Sequence, residues 1–156
     1  MNAPQIPTAT HSTSCSIPSY ESGSMMYATP KDAELAFYDA FARGDIETMR
    51  AVWLDEDSII CLHPGSDILE GRAAVHASWE EILQNPPALR YELQWRSQGP
   101  LLAVHVGREW LTTGVDQTAV LATTNVLQIT AEGWRMLLHQ AAGLRLHEGS
   151  DPAPVH

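Results

Sequence analysis

With 156 residues, 44% of them hydrophobic, the chain has the length and apolar content of one globular domain with its own core. A formal net charge of −10 excludes the basic surface that nucleic acid or an anionic membrane requires. No run of about 18 apolar residues occurs, and the first residues lack both the basic and the apolar stretch of a signal peptide, so no membrane span and a cytoplasmic location are expected. Two cysteines, Cys15 and Cys61, are too few for a disulfide scaffold and read as free thiols.

Residues 1–28 are rich in Ser, Thr and Pro and read as a disordered tail, the folded domain as 29–145, and 146–156 as a second tail. Thr29, Pro30 and Asp32 have the order of a helix N-cap, first helical residue and capping box. The helix they open carries Leu35, Tyr38 and Phe41 at helical spacing, with Phe37 beside them, and ends at Gly44. Asp45 caps a second helix whose apolar face is Ile46, Met49, Val52 and Trp53. After an acidic turn, residues 58–63 alternate, with Ile59, Cys61 and His63 on one face. Residues 68–70 return as a short strand to a third helix striped by Val75, Trp79, Ile82 and Leu83. Asn85, Pro86 and Pro87 stop that helix.

The second half reads as four strands, at 90–97, 101–111, 117–129 and 133–141. Their short Gly-containing turns imply antiparallel neighbours, and the length of the middle two requires the sheet to bend. The expected class is α+β, three N-terminal helices packed on a curved antiparallel sheet, with a conical cavity for a small molecule between the layers.

Candidate site residues follow from chemistry. His63 ends a strand beside a Pro-Gly break, and imidazole suits proton transfer near neutrality; fixing the turn is its structural alternative. Asn125 lies within an apolar strand, where its amide needs partners, either a ligand carbonyl or backbone groups at a bend. Glu109 shares strand parity with Ala103, His105 and Gly107, opposite Leu102, Val104, Val106 and Trp110. With the mixed face inward, Glu109 is a base or ligand anchor and His105 its neighbour on one wall; with the apolar face inward, both face solvent or a second subunit. Trp53 and Trp79 are core residues that can also wall a pocket for an apolar or aromatic ligand. Gln140 shares parity with Trp134, Met136 and Leu138 and is expected inside, with His139 outside. Cys61 has no cationic neighbour and reads as a structural thiol. The histidines lack metal-ligand spacing, and no phosphate loop, dinucleotide fingerprint or nucleophile elbow occurs, so neither metal nor cofactor is expected.

Several pieces in order complete the pattern: the Gly44-Asp45 break, Trp53 before an acidic turn, Cys61-Leu62-His63-Pro64-Gly65, and Leu69-Glu70-Gly71-Arg72. Ser78-Trp79, Ala122-Thr123-Thr124-Asn125-Val126-Leu127 and Gly133-Trp134-Arg135 follow. Over residues 29–143 this resembles the nuclear transport factor 2-like, or SnoaL-like, proteins, which include ketosteroid isomerase. The resemblance implies a cone-shaped, cystatin-like roll with a pocket between helices and sheet, commonly as a homodimer. Members are isomerases, cyclases, dehydratases and noncatalytic transport or assembly domains, so fold alone names no reaction. Aligned with the isomerase, its tyrosine position falls on Phe37, its base on His63 (or Cys61 without an insertion), and its aspartic acid on Asn125. The full isomerase set is absent. The expected protein is a small-molecule-binding domain, with His63, Asn125 and Glu109 as the catalytic set if it turns over a compact carbonyl compound, and Trp53, Trp79, His105 and Gln140 as ligand contacts. The alternative is a noncatalytic homodimeric binding or assembly domain.

Overall fold

A computed structural model describes residues 25–115 and 117–144; of the expected tails, 1–28 and 146–156, residues 1–24 and the whole of 146–156 lie outside the described residues. The helices are α1 (Pro30–Arg43), α2 (Ile46–Val52) and α3 (Arg72–Leu83). The strands are β1 (Ile60–Leu62), β2 (Leu69–Glu70), β3 (Ala88–Gln98), β4 (Leu102–Thr112), β5 (Thr118–Thr130) and β6 (Gly133–Gly143). They form one sheet in the order β2-β1-β6-β5-β4-β3. All pairings are antiparallel except β1 with β6, which run parallel, so the sheet is mixed where antiparallel pairing was expected throughout. The chain must cross over through β2, α3 and three more strands before β6 meets β1, and such a crossover allows a parallel neighbour.

The capping box forms as its spacing predicts. Thr29 Oγ1 accepts from the Asp32 backbone N–H at 3.1 Å, and Asp32 Oδ2 accepts from the Thr29 N–H at 3.0 Å. The face of α1 is rotated from expectation. Ala33, Glu34, Phe37, Ala40 and Phe41 are buried, whereas Leu35 is 54% exposed. Phe37 is the hub of this face, edge-on to Tyr38, Trp53 and Trp79. Packing begins before Thr29, because Tyr27 is buried and bridges to Gly133. Gly133 sits at φ 98°, and a Cβ there would stand 2.6 Å from Tyr27 O, so only glycine lets the two backbones meet.

In β4 and β5 every second side chain is buried, and Ala103, His105, Gly107, Glu109, Leu121, Thr123, Asn125 and Leu127 face the helices. The mixed face of β4 is therefore the inner one. In β6 the alternation breaks. Val126 pairs with Leu138 and Leu127 with Met136, which leaves Leu137 as a bulge. Trp134 and Met136 point inward before the bulge, His139 and Ala141 after it, and Gln140 is exposed. The expected parity, Gln140 inside and His139 outside, is thus corrected by one inserted residue.

Candidate functional site

Between α1, α3 and the inner face of β4–β6 lies a cavity of about 400 Å³. Its walls are mostly apolar: Phe37, Phe41, Trp79, Ile82, Leu111 and Leu121. Its polar lining includes Tyr38, His63, Glu109 and His139, and Pro64, Glu81 and Asn85 form an exposed rim. A larger recess of about 700 Å³ lies by Trp53, at the far end of β6. Its cations are already engaged: Arg50 pairs with Glu47 and Glu80, and Arg135 donates to two backbone carbonyls.

Each polar wall residue is held by a different element. Glu109 comes from the centre of β4 and is 3% exposed. Tyr38 of α1 donates its phenol to Glu109 Oε1 at 2.8 Å. Burial pushes the Glu109 carboxyl above its ordinary range, against the opposing effect of the Tyr38 hydrogen bond. Burial first, and the Glu109 charge second, push the Tyr38 phenol well up. His63 Nε2 lies 3.0 Å from Ser78 Oγ, and the Ser78 hydroxyl lies 2.8 Å from Val75 O, one helical turn back. The His63 ring stands edge-on to Trp79 at 4.7 Å. Burial pulls the His63 imidazole below its usual value. Cys61 is a free, buried thiol pushed up to about 12, by burial first and the Glu109 charge second. It is inert as a nucleophile at neutrality.

Behind the wall runs a second polar layer. Asn125, fully buried, donates through Nδ2 to Glu34 Oε1 at 2.9 Å and to Tyr38 Oη at 3.2 Å. Glu34 Oε1 also accepts from Tyr91 Oη at 2.8 Å. His105 Nδ1 is 2.9 Å from Glu34 Oε2, close enough for an ion pair but out of line for a ring N–H hydrogen bond. Asn125 Oδ1 lies 2.7 Å from His139 Nδ1. Burial, reinforced by the neighbouring His63, drops the His139 imidazole to about 3, so it is neutral at physiological pH. Tyr91 fits because of Gly107 on the adjacent strand: a Cβ there would stand 2.3 Å from Tyr91 Cε2. The space lets Tyr91 stack on Tyr38, ring centres 4.0 Å apart and planes at 13°.

Of the residues singled out by sequence, His63, Glu109 and Trp79 line one cavity. Asn125 and His105 stand behind its wall, with both Asn125 N–H groups spent within the protein. Trp53 is 2% exposed in the core by the far recess, and Gln140 lies outside. Glu34, Tyr38, Tyr91 and His139 were not foreseen as site residues. Glu34 and Tyr38 stand four apart on α1, and a carboxylate and a phenol at that spacing on an otherwise apolar face was the available signal. Among the described residues no group of three His, Cys, Asp or Glu converges as a metal site. None of the described helices is long and apolar enough to cross a membrane.

A curved mixed sheet closed by three helices around a mostly apolar pocket defines the class, an α+β domain of the cystatin-like kind. The family model of the SnoaL-like domain matches residues 31–142, and the chain belongs to that family, within the nuclear transport factor 2-like proteins. Among solved structures, a protein from Thiobacillus denitrificans, provisionally named a calcium/calmodulin-dependent protein kinase type II association domain, is 34% identical. It superposes with a TM-score of 0.72 over 78% of this chain and 99% of its own. A protein from Streptomyces avermitilis, provisionally named a dehydratase of the NTF2-like family, is 28% identical, with a TM-score of 0.65 over 73% of this chain and 92% of its own. A domain with a cystatin-like fold from Nostoc punctiforme, 17% identical, shares the fold at a TM-score of 0.63 over 74% of this chain and 75% of its own. Among curated proteins none matches.

Proposed function

We propose that the cavity binds a compact, partly apolar carbonyl compound and moves a proton on it by general acid–base chemistry, as in an isomerase, cyclase or dehydratase. The observation that carries this reading is Glu109: a buried carboxyl with a raised pKa, hydrogen-bonded by Tyr38 and opening with His63 onto an apolar cavity. A carboxylate whose proton affinity is raised toward neutrality is a stronger base than an exposed one. Glu109 takes the proton from the carbon next to the carbonyl, and His63, neutral and at the rim, is the second proton carrier. The Trp79 indole N–H is fully buried and has no hydrogen-bond partner among the described residues, while other atoms of the same side chain line the cavity. The Streptomyces avermitilis relative's provisional name, a dehydratase, supports the same class.

The test is hydrogen–deuterium exchange at the α-carbon of small ketones such as cyclohexanone, followed by NMR in heavy water. The wild type should accelerate exchange, and Glu109→Gln should lower that acceleration by about a hundredfold or more while the protein stays folded. No acceleration by the wild type, or an undiminished rate in the variant, rejects the reading.

A second reading, a noncatalytic homodimeric assembly domain, draws on a different face. The outer surface of the sheet carries Trp95, 55% exposed, and Leu102, 44% exposed, beside half-buried Val104, Val106, Val126 and Leu138. The Thiobacillus denitrificans relative's provisional name, an association domain, points the same way. The two readings concern opposite faces of one sheet and can both hold.

A further inference from the structure

The network behind the cavity wall has a direction, and it can be read bond by bond. Glu34 is buried and its Oε1 accepts from Tyr91, so the Asn125 group facing that oxygen must be the NH2 rather than the carbonyl. The Tyr38 phenol spends its proton on Glu109, which leaves its oxygen to accept from the same NH2. Both contacts fix the Asn125 amide in one orientation, with Oδ1 toward β6. An amide oxygen can only accept, so the 2.7 Å contact requires the proton on His139 Nδ1. The neutral ring then carries its lone pair on Nε2. Among the described residues nothing hydrogen-bonds Nε2, although the ring is 3% exposed and lines the cavity between Phe37 and Trp79.

We propose that His139 Nε2 is a fixed hydrogen-bond acceptor of the pocket, held in that state by the positioning residues Asn125 and Glu34, and that the ligand is a hydroxyl-bearing compound which donates its O–H to it. This rests on the carbonyl-compound reading and narrows it to a hydroxy-carbonyl class. His139 is an acceptor here and not the base. A ring buried this deeply stays neutral, so the ligand hydroxyl keeps its proton while Glu109 and His63 carry the transfer. The arrangement discriminates by chemistry. A ligand with a methyl group in place of the hydroxyl leaves the buried lone pair unpaired and loses the free energy of that bond.

The experiment uses phenol and toluene, which match in shape and differ in the one group. Binding to the full chain is followed by NMR of the cavity-lining residues, with histidine ring nitrogens labelled. In the free protein His139 should show a protonated Nδ1 and an unprotonated Nε2. Phenol should bind about tenfold more tightly than toluene and shift the Nε2 resonance, and toluene should leave it unmoved. His139→Phe should abolish the preference while still admitting both compounds. Should that variant not fold, the resonance and affinity differences in the wild type decide the matter alone. An Nε2–H tautomer, equal affinities, or a phenol complex with an unmoved Nε2 overturns the hydroxyl assignment and leaves the ketone-exchange reading standing. If neither compound perturbs the lining residues, the pocket reading falls with it.

Discussion

Glu109 and His139 share a wall of the cavity, and burial acts on their acid–base equilibria in opposite ways. His139 has an ordinary value of 6.5 and falls to about 3 in the fold. Between those values the unfolded chain binds a proton that the folded one refuses, so stability is lost as pH falls from 6.5 towards 3. Glu109 is raised from 4.5, so the folded chain keeps a proton that the unfolded one releases, and stability is lost as pH rises from 4.5 through the raised value of the folded state. Urea unfolding across a pH series separates the two. His139→Gln should flatten the acid side, where one histidine contributes up to about 1.4 kcal/mol per pH unit. Glu109→Gln should remove the loss on the opposite side, so that the stability of the variant no longer falls as pH rises above 4.5. An acid limb unchanged in His139→Gln would show that its ring is not the buried neutral group described. Sequence reached some of these residues and not others for a physical reason. The β4 alternation set Glu109 opposite Val104 and Val106, and the face it shares with His105 is the inner one. Glu34 offered only its spacing from Tyr38 on the apolar face of α1, a weaker signal, because a helical carboxylate reads as solvated until partners such as Tyr91 and Asn125 converge on it from other strands.

At the level of elements, nearly every helix and strand was announced by its punctuation: Thr29 and Gly44 around α1, Asn85 to Pro87 after α3, and the glycine-containing turns of the sheet. Bulges have no such marker. Leu137 is an ordinary apolar residue in an apolar strand, and its extra position alone turns His139 inward. A second silent feature is the small residue that makes room for a neighbour. Gly107→Ala drives a methyl into the Tyr91 ring and towards Glu92 O, 2.8 Å from the added carbon, and should cost about 1–3 kcal/mol. If that cost runs through Tyr91, the Tyr91→Phe loss should be much smaller in the Gly107→Ala background. A double-mutant thermal-unfolding cycle measures this, and additive losses would place the strain elsewhere.

At the scale of the molecule, the sheet presents a polar-cored inner face to the helices and, on its outer face, an apolar patch around Trp95, Leu102, Val104 and Val106. Sedimentation equilibrium is expected to return twice the chain mass, and Trp95→Asp should lower it to a single chain without unfolding the protein. A wild-type monomer at micromolar concentration would leave the outer face unexplained and weaken the assembly reading. The two ends of the described chain also lie at opposite ends of the sheet. Tyr27 is clamped to Gly133 at the β5–β6 turn, whereas Leu144 donates its N–H to Val120 O beside Leu121 and Ala141, which line the cavity. From Leu121 to the turn, β5 covers about 30 Å. For anyone anchoring this protein to a sensor surface or building a chimera, the polarity is practical. A graft joined ahead of Tyr27 starts far from the pocket, and one joined after Leu144 starts on its doorstep.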